Sequence, residues 1–153
     1  MKGKEVPAME LLCATDPSLA LLIVRVVLGV IFFAHGAQKV LGWFGGHGLQ
    51  GTTAYFACMG MPLPLAYLVC FIEFLSGIGL VLGFLARLCG LGVAAIMVGA
   101  MATVHWKHGF FLNVDLKPGV GHGIEYNLAL LAMGLATLIE GAGAFSIDRW
   151  LAH

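Results

Sequence analysis

Apolar residues run almost unbroken for about 20 positions at four places in this chain, 19–41, 63–85, 88–106 and 124–141. Roughly 20 helical residues cross the hydrocarbon core of a bilayer. Only helices and closed barrels satisfy their own backbone there. The expected fold is therefore all-α: an integral membrane four-helix transmembrane bundle. Composition agrees, because 60% of the residues are hydrophobic and only 10% are charged, against about 25% charged in a soluble domain. A mean hydropathy of +0.96 leaves too little polar surface for a water-facing globule. The lipid bilayer is the first expected partner. Zero formal net charge and the lack of a basic run argue against nucleic acid.

The spans order the rest of the chain. Residues 1–18 read as a polar N-terminal segment, with Asp16-Pro17-Ser18 as a helix start. Residues 19–142 form one transmembrane domain, and 143–153 a short C-terminal tail. Lys2 and Lys4 ahead of an apolar run imitate a signal peptide. That run contains Arg25, continues past Phe33 and lacks an A-x-A site, so it is expected to stay as the first span. Between spans one and two, a Gly-rich stretch turns mildly apolar, and a short interfacial segment is expected near 51–59. A tight turn near Ala86 and Arg87 makes spans two and three antiparallel neighbours. An aromatic loop suited to the interface joins spans three and four.

An even number of spans puts both termini on one side. Lys2, Lys4, Arg87 and Arg149 lie there, against Lys39, Lys107 and Lys117 opposite. The positive-inside rule then places the termini in the cytoplasm, by four residues to three. His35, His47, His105, His108 and His122 fall on the loop-bearing side, where chemistry is expected; His153 ends the chain.

A charge inside the membrane should face the bundle interior and find a partner. Arg25, Gly29, Phe32, Gly36 and Lys39 recur at helical spacing in span one. Ala66, Cys70, Glu73, Gly77 and Leu80 do so in span two. His122, Glu125, Ala129, Ala132 and Ala136 do so in span four. Span three offers Gly92, Ala95, Gly99 and Ala102, with His105 on an adjacent stripe. Small residues let helices approach in lipid, so these stripes are expected to be interior seams. The stripe of span three also suits packing in a homo-oligomer. Depth suggests two ion pairs: Arg25 with Glu73 as a structural pair, and Lys39 with Glu125. His35, His105 and His122 lie at the depth of the second pair. Imidazole and carboxylate groups relay protons, ligate haem or metal, and hydrogen-bond quinones. His35, Lys39, Glu73, His105, His122 and Glu125 are thus the ligand or proton-relay candidates. The same residues equally describe polar anchors and assembly contacts.

Other chemistries lack their residues. Cys13, Cys58, Cys70 and Cys89 form no C-x-x-C. His105 to His108 is a common helical spacing, and no metal site is expected. The glycines of 42–51 lack the G-K-[ST] ending of a phosphate loop. The tyrosines and tryptophans read as interface anchors or packing residues.

The run RVVLGVIFFAHGAQKVLG at 25–42 resembles the opening helix of the DoxX family. FGGHGLQGTTAYF at 44–56, then Gly60 and Pro62, continues the likeness. So do EFLSGIGLVLG at 73–83, His105, and GIEYN at 123–127. The resemblance covers about residues 19 to 142. It implies a four-helix protein of the bacterial inner membrane. Relatives include subunits of membrane oxidoreductase complexes, thiosulfate:quinone oxidoreductase among them, and partners in thiol-stress defence.

Three functions remain open. One is a redox component that binds a quinone, or less favourably a haem, near the loop-bearing face. Another is a non-enzymatic accessory or scaffold subunit of a partner oxidoreductase. The last is a transporter of protons or a small solute.

Overall fold

The computed structural model describes residues 12–152, and every regular element among them is helical. Helices α1 (Leu19–Val40), α3 (Leu63–Leu82), α4 (Ala86–Ala100) and α5 (Glu125–Glu140) form the bundle. The shorter α2 (Gly48–Cys58) and α6 (Ile147–Leu151) lie at opposite ends of it. Helix α4 runs on through a π-helical turn, Met101–His105, and a 3-10 turn, Trp106–His108. Helices α1 and α3 and the continuous Ala86–His108 stretch are long and apolar enough to cross a membrane. Helix α5, at 16 residues, is the short one. Leu19, Ile23, Leu75, Leu88 and Ile139 are exposed around the bundle, as lipid-facing side chains must be. This is a multi-pass helical membrane protein.

Helices α1 and α3 interlock as their stripes predict. Arg25, Gly29, Phe32 and Gly36 are buried on α1, and Ala66, Cys70, Glu73, Gly77 and Leu80 on α3. The glycines allow the approach: a Cβ on Gly36 would sit 2.4 Å from the Phe74 Cα, and one on Gly77 2.3 Å from the Phe33 nitrogen. Helices α4 and α5 pack differently from expectation. Ala95, Gly99 and Ala102 are exposed, and so are Ala129 and Ala132. The buried faces are instead Gly90, Val93, Ala94 and Met97 on α4, and Asn127, Leu130, Gly134 and Thr137 on α5. One close contact sets this pairing, since a Cβ on Gly90 would meet the Gly134 carbonyl at 2.7 Å. Larger side chains are then needed to fill the centre, where Val93, Met97 and Leu130 join Leu28, Phe32 and Leu80.

The terminal end of the bundle is held by polar groups. The Arg25 side chain is fully buried, yet it does not pair with Glu73 as the sequence suggested. Its Nε donates to the Ala142 carbonyl at 2.7 Å. Nη1 donates to Leu80 and Val81 at 2.8 and 2.9 Å, and Nη2 to Ala144 and Phe145 at 3.1 and 3.0 Å. A guanidinium carries five N–H donors, and here each has a carbonyl. Leu80 and Val81 lie in the last turn of α3, where the Leu80 carbonyl has only a long 3.3 Å bond from Gly83, carbonyls run short of helical partners and the helix dipole favours a cation. Glu73 is out of reach because the helices are antiparallel: Gly29 of α1 lies against Val81, and Gly36 against Phe74. Arg25 is thus level with the end of α3, not its middle.

Arg87 repeats the device on α5, donating to the carbonyls of Leu138, Ile139 and Ala14. Asp148, fully buried in α6, accepts from the backbone nitrogens of Leu85 and Ala86 at 2.7 and 2.8 Å. It thereby caps the start of α4 from the far end of the sequence. The turn before α4 falls at 83–85, slightly earlier than expected, with Gly83 and Leu85 both at positive φ. Cys13 packs on Asp148, with Sγ 3.8 Å from Oδ1. Burial, and then the adjacent carboxylate, push its thiol pKa up, which keeps it protonated and unreactive. Segment 143–152 is therefore part of the bundle's closure.

Arg25→Ala strands the carbonyls of Val81, Ala142, Ala144 and Phe145 and removes the tie between α1, α3 and the α5–α6 connection. Leaving a buried acceptor without its donor costs about 1–3 kcal/mol, and a loss of at least this order is expected from unfolding in mild detergent. Adding Glu73→Ala is not expected to restore stability; recovery in the double variant would revive the discarded pair.

Candidate functional site

Opposite the Arg25 end, the helices splay around a cavity of about 580 Å³, within the range of small-molecule sites. Helix α1 contributes Ile31, Phe32, His35 and Lys39, which one helical face presents together. Helix α2 adds Tyr55, Phe56 and Met59, and α3 adds Glu73. The α4 stretch supplies Ile96, Met97, Ala100, Val104 and His105. The loop after it supplies Leu112 and His122, and α5 supplies Tyr126, Asn127 and Leu130. The walls are mostly apolar, with a few polar groups aimed inward. The cavity floor is the packed core around Phe32, Met97 and Leu130.

The strongest polar contact there joins Lys39 Nζ to Glu73 Oε2. Glu73 is buried, and Lys39 is partly exposed along the cavity. Lys39 therefore takes the carboxylate that the sequence had assigned to Arg25. The expected Lys39–Glu125 pair does not form. Glu125 turns toward the loop, where its Oε1 accepts from the Leu112 nitrogen at 2.8 Å. It braces the segment that covers the cavity without lining it.

The three candidate histidines all reach the cavity lining. His35 lies one turn before Lys39 on α1. His105 arrives through the π-helical turn, whose wider coil shifts the helical phase and brings this side chain back to the face of Met97. Such turns recur at functional sites. His105 Nδ1 lies 2.8 Å from the His122 carbonyl oxygen, and His122 Nδ1 accepts from the Asn113 nitrogen at 3.2 Å. His108 Nδ1 accepts from the Gly121 nitrogen at 3.3 Å and braces the loop. His47 stands at the start of α2, outside the lining. His153 lies outside the described residues.

Tyr55, Tyr126 and Asn127 were not among the expected site residues. Asn127 is buried, and its amide nitrogen approaches Met97 Sδ at 3.5 Å. A polar amide in the first turn of an apolar span was the available signal. Tyr55 and Tyr126 are exposed while also lining the cavity, so they stand at its mouth. Among the described residues, no three His, Cys, Asp or Glu side chains converge as a metal set.

A membrane-embedded apolar cavity edged by an ion pair and imidazoles defines a class: a multi-pass helical protein with a polar-lined internal pocket. The DoxX family model matches residues 20–106, and the chain belongs to the DoxX family. It is 31% identical over 130 residues, 85% of each chain, to a protein of Bacillus subtilis (strain 168) named "Putative oxidoreductase CatD". No solved structure matches the chain.

Removing one member of the Lys39–Glu73 pair leaves a charge without its partner. Replacing both by apolar residues of similar size does not. Lys39→Met or Glu73→Leu alone is expected to lower stability by about 3 kcal/mol, with most of it regained in the double variant. Thermal unfolding of the four proteins in one detergent measures this. Additive losses would mean that the two groups act separately.

Proposed function

We propose that this protein is a membrane redox component whose cavity holds the ring of a quinone or a similar apolar, oxygen-bearing cofactor. The observation that carries the reading is the composition of the cavity wall. It is apolar enough to take a ring from the bilayer, and it offers Lys39, His35, His105, His122 and Asn127 as hydrogen-bonding groups. A quinone ring has two carbonyl oxygens, which need donors in an apolar site. The Lys39 ammonium, held in place by Glu73, supplies one. The ring nitrogens of His35 and His122 supply others. The name of the Bacillus relative points the same way. The quinone would bring the electron chemistry, and this chain's residues would orient it, exclude water and handle its protons. Glu125 and His108 act at one remove, by fixing the loop over the site.

The closed geometry of the terminal end favours this reading over transport. Leu28, Leu80 and Val93 pack tightly beneath the cavity, and the Arg25 contacts lie beyond them. A second reading, an accessory subunit of a partner oxidoreductase, draws on the exposed apolar loop, where Phe111, Val114 and Leu116 are each at least 75% exposed. Placement in the bacterial inner membrane with cytoplasmic termini belongs to the same proposal. It would put the cavity mouth on the outer side.

Native mass spectrometry from mild detergent tests the choice. The expected result is a stoichiometric excess mass matching a quinone, reduced at least ten-fold in occupancy in Lys39→Met and His35→Ala. A bare protein that co-purifies with a stoichiometric partner would instead support the accessory-subunit reading.

A further inference from the structure

The backbone around the cavity fixes which histidine nitrogens carry protons. The His122 carbonyl oxygen can only accept a hydrogen bond, so His105 Nδ1, 2.8 Å away, must donate to it. In the neutral ring this leaves His105 Nε2 bare, as an acceptor. His122 has the opposite tautomer. Its Nδ1 receives the Asn113 N–H at 3.2 Å and is therefore bare, so the proton resides on Nε2. Neither Nε2 has a protein hydrogen-bond partner among the described residues, and both rings line the cavity. The loop wall thus offers one acceptor and one donor from two imidazoles, set by main-chain contacts alone. Lys39 adds a further donor, from α1.

This pattern discriminates between ligands. An oxidised quinone carries only acceptor oxygens. It can use Lys39 and His122, but it leaves the lone pair of His105 Nε2 facing another lone pair in an apolar space. A ligand that covers this half-exposed acceptor without offering it a donor binds less tightly. A ring that bears a hydroxyl, such as a quinol or another phenol, satisfies the acceptor. Resting on the quinone-site reading above, we infer that the cavity selects the reduced, hydroxyl-bearing form of its ligand, and that His105 is the specificity-determining residue through a hydrogen bond accepted at Nε2. The π-helical turn is what brings this ring to the wall, and the His122 carbonyl is what orients it.

The test is anaerobic equilibrium binding of a short-tailed benzoquinone and of its quinol to the detergent-solubilised protein. The quinol is expected to bind about ten-fold more tightly. In His105→Phe the preference of quinol over quinone should fall to about one. Equal affinities in the unaltered protein, or a preference that survives in His105→Phe, would overturn the inference while leaving the quinone site standing. Binding of neither form would overturn that site and the inference with it. Nitrogen-15 NMR of histidine-labelled, unaltered protein gives a second readout that needs no substitution. A His105 ring protonated at Nδ1 is expected, and one protonated at Nε2 alone would contradict the proposal.

Discussion

The structure depends on satisfying one buried arginine. Arg25 sits among apolar helices, where an unpaired guanidinium is prohibitively costly. It resolves this by donating to five carbonyls from two parts of the chain. Those carbonyls belong to the end of α3 and to the connection that follows α5, where helical partners run out. A single side chain thus removes unsatisfied groups on both sides of each contact. Arg87 and Asp148 extend the same logic to the end of α5 and the start of α4. Among the described residues, the terminal face of the bundle is thereby closed without a long-range salt bridge.

Fixing one end leaves the other free to open. Helices α1 and α3 are pressed together by Gly29, Gly36 and Gly77 along their length, and α4 and α5 by Gly90 and Gly134 near the closed end. Between these two pairs Gly92 of α4 lies against Ile72 and Ser76 of α3, but nearer the long loops Gly99 has nothing within 4 Å. The resulting space is the cavity. The Lys39–Glu73 pair marks its edge on the α1–α3 side, and the loop held by Glu125, His108 and Asn113 covers the other. The cavity and the polar closure therefore lie at opposite ends of the membrane normal, with apolar core between.

Much of this was legible in the sequence. Helix positions followed from apolar runs of bilayer length, and the α1 and α3 stripes from glycines and charges at helical spacing. The histidines marked the side of the bundle on which the cavity lies. The misassignments have physical causes. Ion-pair partners were chosen by depth and charge, whereas Arg25 chose backbone carbonyls that no sequence pattern displays. The alanines of α4 and α5 looked like a seam, but that seam needed bulkier residues to fill the centre, and the alanines face outward. The phase shift that carries His105 into the cavity comes from a π-helical turn. The cap on α4 comes from Asp148, far along the chain. Both are settled by tertiary packing.

The family assignment and the cavity meet at one question, whether a redox ring occupies the space between α1, α4 and α5. Photoaffinity labelling with an azidoquinone in proteoliposomes, followed by peptide mass spectrometry, addresses it most directly. The account predicts adducts confined to cavity residues such as Tyr55, Val104 and Tyr126, competed away by unlabelled quinone. Adducts spread over lipid-facing residues such as Leu75 and Ile139, insensitive to competition, would contradict it.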